Sequence, residues 1–133
     1  MTQSEISASM EADGEGDEFI SVIKAGRMVG LARSEVSWVE VERHLLRLHT
    51  VTGETYQLRD TLKSLHQRWA QYGFARIHKS FLVFLPHVRE LRREAEGPVV
   101  SLGVGADAAL LPVSRRKKSE IKQQLKERDD ARF

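Results

Sequence analysis

The chain has 133 residues, no cysteine and a formal net charge of +2, which leaves room for one domain and excludes disulfides, thiolate metal sites and cysteine nucleophiles. No apolar run approaches the roughly 18 residues of a membrane helix, and residues 1–18 lack the basic start and apolar core of a signal peptide, so a cytoplasmic protein is expected. The small net charge hides a segregation: residues 1–18 hold six acids and no base, leaving all 21 Lys and Arg against 13 acids in the rest of the chain, a net of +8.

Residues 1–18 are small, acidic and aperiodic, the composition of a disordered tail. Order is expected from Phe19, where FISVIKAGRMVGL reads as two short strands about Ala25-Gly26-Arg27. EVSWVEV alternates Val36, Val39 and Val41 with polar neighbours as a half-buried strand does. HLLRLHTVTGETYQL reads as a hairpin turning at Thr52-Gly53. Leu58, Leu62, Leu65 and Trp69 then fall on one face of a helix, capped by Asp60 or Thr61 and stopped by Gly73.

The next stretch, ARIHKSFLVFL, joins a polar loop (Arg76 to Ser80) to a greasy strand (Phe81 to Leu85). Strands through Val88–Leu91 and Val99–Val104 follow, with turns at Glu96-Gly97-Pro98 and Gly105-Ala106-Asp107, then Leu110 to Val113. The last element, SRRKKSEIKQQLKER, is a helix with Ser114 as N-cap, running to about Arg128 on a thin apolar face of Ile121 and Leu125. Its 129–133 remainder is a short tail.

Two places break local rules. Arg115, Arg116, Lys117 and Lys118 crowd the positive end of the last helix, where acids are favoured; that arrangement becomes favourable with an anion bound, and phosphate suits both amides and side chains. A frayed, solvated end is the plainer alternative. Arg76, His78, Lys79 and Ser80 repeat the pattern on a loop held by a buried strand, although a lone His78 is as readily structural. Arg43 and His44 interrupt the first long strand and read as a loop tip or a bulge. There is no glycine-rich phosphate motif, GxSxG, HExxH or CxxC, and the five histidines show no metal-ligand spacing. No enzyme, cofactor, metal or small-molecule substrate is expected.

The segments EVSWVEVERHLLRLHT, TGETYQLRDTLKSLHQRW, FARIHKSFLVFLPHVREL and LLPVSRRKKSEIKQQL, in that order, resemble the LytTR DNA-binding domain of bacterial transcription regulators, over residues 19–128. The F-x-R-I-H-K-S-F and L-P-V-S-R-R signatures carry the resemblance. It implies a mostly β, antiparallel fold with short helices and a C-terminal helix, whose loops enter the major groove of double-stranded DNA. By the same resemblance His44, Lys79 and Arg115 contact bases, and Arg43, Arg76, His78, Ser80 and Arg116 contact phosphates; Ser114 and Lys117, at the same helix start, join the phosphate set. The expected function is a sequence-specific transcription regulator, with two copies on a repeated site. The alternative is a protein-interaction module whose basic face binds an acidic partner.

Overall fold

The structure, a computed structural model, describes residues 17–103 and 109–131; the expected tail over 1–16 and the turn at 105–107 lie outside them. Strands β1 (Phe19–Lys24) and β2 (Arg27–Ala32) make the first hairpin. Strands β3 (Val36–Glu42), β4 (Leu45–Thr50) and β5 (Thr55–Leu58) form a meander, followed by helix α1 (Leu62–Trp69). Strands β6 (Phe74–His78) and β7 (Phe81–Phe84) are a second hairpin, and β8 (Val88–Glu94), β9 (Gly97–Leu102) and β10 (Ala109–Pro112) precede helix α2 (Lys118–Ala131). All recorded strand pairings are antiparallel: a seven-stranded sheet in the order β2-β1-β5-β4-β3-β7-β6 and a three-stranded sheet β10-β9-β8.

The apolar residues divide into two cores that share the β6–β7 hairpin. Leu62, Leu65 and Trp69 of α1 pack with Ile20, Val22, Leu31, Val39, Leu46, Leu48, Phe74 and Leu82. Ala75, Ile77 and Val83 instead pack with Val100, Leu102, Leu111, Val113 and, from α2, Ile121 and Leu125. A strand buried on both faces reads as a continuous apolar run, which is why FLVFL shows no alternation. In β3 the alternation is reset rather than simple: the register shifts between Val36 and Trp38, so Val36 and Val39 enter the same core, while Val41, next to the strand's end, is exposed.

Helix α1 begins where Thr61 Oγ1 accepts the Ser64 N–H at 3.1 Å, so Thr61 rather than Asp60 is the cap. Leu58 belongs to β5, opposite Leu46, and not to the helix. After α1 and one 3-10 turn, Gly73 at φ 98° ends the helical segment. Asp17 and Glu18, read as tail from the sequence, are fastened to the domain: Asp17 accepts from the Ser34 N–H at 3.1 Å, and the Glu18 carbonyl accepts from the Arg33 N–H at 2.7 Å.

Candidate nucleic-acid interface

Three chain reversals lie in a row along one end of the large sheet. The first is the two-residue connection Arg43-His44, with Glu42 opposite Leu45. Both residues are exposed, and Arg43 takes φ 60°. Arg47 grips Glu42 at the base of the turn through Nε to Oε1 (2.9 Å) and Nη2 to Oε2 (2.6 Å). This paired fork holds the tip in shape and takes Glu42 out of competition for cations.

The second reversal is Lys79-Ser80, between His78 and Phe81. β3 pairs with β7, and the Val41 N–H donates to the Ser80 carbonyl at 3.0 Å, so the two tips stand side by side at roughly the interstrand spacing of about 5 Å. Arg76 Nη2 donates to the Lys79 carbonyl (2.9 Å), and the Ser80 N–H donates to His78 Nδ1 (3.1 Å). With Nδ1 accepting, neutral His78 carries its proton on Nε2, a donor pointed away from the turn. The sequence placed Arg76 to Ser80 in a loop. The structure corrects this: Arg76 and His78 are strand residues, interleaved with Ala75 and Ile77, which enter the second core. The register shifts between Arg76 and His78, leaving Ile77 as the extra residue that re-aims its neighbours.

The third reversal is the entry to α2. Ser114 donates its N–H to the Ile77 carbonyl at 2.8 Å, which docks this entry on the outer edge of β6. A single 3-10 turn, Arg115–Lys117, precedes the α-helix, which starts only at Lys118. Ser114 is therefore not the helix cap expected from sequence: its carbonyl accepts the Lys117 N–H at 2.8 Å, but its hydroxyl caps nothing. The cations Arg115, Arg116 and Lys117 sit in the 3-10 turn instead of the first turn of the α-helix.

These last two reversals close a cleft of about 430 Å³ lined by Arg76, His78, Lys79, Ser114, Arg116 and Lys117. Six of the ten residues singled out from sequence thus meet in one place, and none of the six is a carboxylate. Arg43 and His44 stand on the adjacent tip, and Ser80 is in the turn. Arg115 leaves the cleft, reaching the far side of the 3-10 turn beside Arg93, Gly97 and Lys118.

The sequence missed His66, on α1. Burial lowers its pKa first, and the positive charges of Lys117 and Arg76 lower it further, against a small opposing pull from Glu120. The electrostatic field of the cleft therefore extends to α1, a relationship that no spacing in the chain could reveal. Among the described residues there is no cluster of His, Asp and Glu suited to a metal ion, and no helix is long and apolar enough to cross a membrane.

The chain is 30% identical over 87 residues to the CO-responsive transcriptional regulator RcoM of Rhodospirillum rubrum, a match that covers 65% of the chain and 36% of that protein. The chain thus spans about a third of the length of that relative. A solved LytTr DNA-binding domain from Bacillus cereus superposes with a TM-score of 0.70 at 17% identity, covering 83% of this chain and 98% of that one. Residues 26–126 match the LytTr DNA-binding domain itself, and with three quarters of its length in that match the chain belongs to the LytTR family of DNA-binding domains.

Proposed function

We propose that the chain is a sequence-specific, double-stranded DNA-binding transcription regulator that reads the major groove with the three aligned turns. The observation that carries this reading is the row itself: three exposed tips, held to one another by backbone hydrogen bonds, with a carboxylate-free cleft between the second and third. His44, Lys79 and Arg115 are the base-contacting residues. Arg115 suits guanine O6 and N7, which a guanidinium grips bidentately; Lys79 addresses the same acceptors as a mobile point charge and discriminates less; His44 can donate to either acceptor.

Arg43, Arg76, His78, Ser80, Ser114, Arg116 and Lys117 set the register through phosphates, which fix orientation without reading sequence. Among the described residues the Ser114 hydroxyl makes no cap hydrogen bond and His78 accepts at Nδ1, which leaves that hydroxyl and the His78 Nε2–H as donors for that purpose. Because one small domain reads few base pairs, two copies would occupy a repeated site. The test is selection of bound sequences from a random duplex pool, followed by titration of the selected duplex at several salt concentrations. A recurrent motif and a linear fall of log affinity with log salt are expected; recovery of no motif would refute sequence-specific reading. An acidic protein partner for the same face would instead show as binding to acidic polypeptide with none to duplex DNA.

A further inference from the structure

A second strongly basic feature begins where the candidate interface ends. Helix α2 carries Lys118, Lys122 and Lys126 at intervals of four, which places them in one row along its surface. That row faces β8 across a groove of about 680 Å³, whose other wall includes Arg89 and Arg93 and whose floor includes Leu91, Pro98 and Leu125. Other charges in the groove are largely internally matched: Arg92 pairs with Glu90 and Glu94, and Arg128 with Asp129. Among the described residues, Lys118, Lys122, Lys126, Arg89 and Arg93 form no ion pair, against one unmatched carboxylate, Asp130, at the far end.

The groove is continuous with the candidate interface, because Arg93, Pro98 and Lys118 line both it and the recess that holds Arg115. From Lys118 to Lys126 the row runs about 12 Å at 1.5 Å per residue, which corresponds to about 3–4 base pairs of duplex at 3.4 Å each.

We infer that the α2–β8 groove binds the sugar–phosphate backbone of DNA flanking the bases contacted by Arg115, extending the footprint beyond the three turns. Five cations without protein partners are costly to gather in one groove unless a polyanion neutralises them. Continuity with Arg115 favours the same duplex over a separate acidic protein. The assignment rests on the DNA-binding reading of the three turns and adds to it a sequence-independent flank, on the Arg115 side only.

The experiment uses the full chain with the duplex recovered from the random pool, in two lengths: one ending at the selected motif, and one extended on the Arg115 side by about one helical turn, about 10 base pairs. The extended duplex is expected to bind more tightly, with a salt slope steeper by about 2, so that raising salt from about 50 to about 200 mM costs it about tenfold more affinity than the short one. The variant Lys122→Gln/Lys126→Gln, both exposed helix positions, should keep the affinity and motif of the short duplex and lose most of the gain on extension. Equal affinity of the native chain for both lengths overturns the inference, as does a variant that weakens the short duplex as much as the long one. Absence of any motif defeats the underlying reading instead, and is distinguishable because it shows before the lengths are compared. Release of a polyglutamate probe by the variant, with no DNA bound at either length, would reassign the groove to an acidic protein.

Discussion

The carboxylate of Glu18 accepts the indole Nε1–H of Trp69 at 3.0 Å, joining the first residue before β1 to the last residue of α1. The same carboxylate pairs with Arg68 and lies 3.8 Å from Arg33, and the Arg33 guanidinium in turn lies over the Tyr72 ring at 3.7 Å. Trp69 is fully buried, so its N–H has no alternative partner in water. Glu18→Ala should therefore lower stability by about 1–3 kcal/mol, the cost of an unsatisfied buried donor. Urea unfolding would show this as a reduced midpoint with unchanged slope. The selected DNA motif should be unaffected, since Glu18 is tied to α1 and not to the three turns; an altered motif would mean that this anchor is coupled to the turns.

Arg43 offers a case in which stability and function oppose one another. A non-glycine residue in the left-handed region costs about 1 kcal/mol, and here it occupies the tip of the first turn at φ 60°. Arg43→Gly relieves that strain and should raise stability by up to about 1 kcal/mol, less the entropy glycine restores to the unfolded chain. It should also weaken DNA binding across all sequences and reduce the salt slope by about 1, as expected for one lost phosphate contact. Calorimetry and salt titration on the same variant check both halves. A less stable protein with unchanged affinity would remove Arg43 from the phosphate set.

Much of this arrangement was legible in the chain because it is encoded locally. The spacing of Leu62, Leu65 and Trp69 gave α1, and the crowded cations from Arg115 to Lys118 marked the entry to α2 as a place where charge and helix electrostatics conflict. What could not be read depended on neighbours distant in sequence. A strand and a loop are equally compatible with ARIHKS until β7 pairs with it, and Ser114 looked like a cap because its bond to the Ile77 carbonyl is a tertiary contact. Glu18 looked like part of the acidic tail for the same reason, its carboxylate partners Arg68 and Trp69 being fifty and fifty-one residues away. The row Lys118, Lys122 and Lys126 takes its meaning only from β8 placed opposite.

Arg115 and Arg76 should separate base reading from phosphate binding. Arg115 is exposed and unpaired among the described residues, whereas Arg76 braces the second turn through the Lys79 carbonyl. Arg115→Ala should cost about 1–3 kcal/mol on the preferred duplex and relax preference at one base position. Arg76→Ala should weaken preferred and scrambled duplexes together. Binding to a panel of single-base variants of the selected site resolves the two patterns; an Arg115→Ala protein that keeps its full preference would remove it from the base readers.

His66 and His87 give the fold a pH dependence of defined sign. Burial lowers the pKa of both, and in His66 the cations Lys117 and Arg76 add to it. His87 holds Ser37 Oγ at 3.2 Å from its Nδ1. With folded values below the ordinary 6.5, the unfolded chain binds more protons in the interval between, so stability is fully present above about pH 6.5 and is lost as pH falls through the folded values. His66→Gln should flatten part of this loss without changing stability much near pH 8, as followed by urea unfolding at a series of pH values. Bound DNA should reduce the His66 share in particular, since phosphates beside Lys117 and Arg76 cancel the repulsion that disfavours its proton. NMR titration of the His66 ring would then show its pKa rising in the complex, and an unmoved value would place the phosphates away from the cleft.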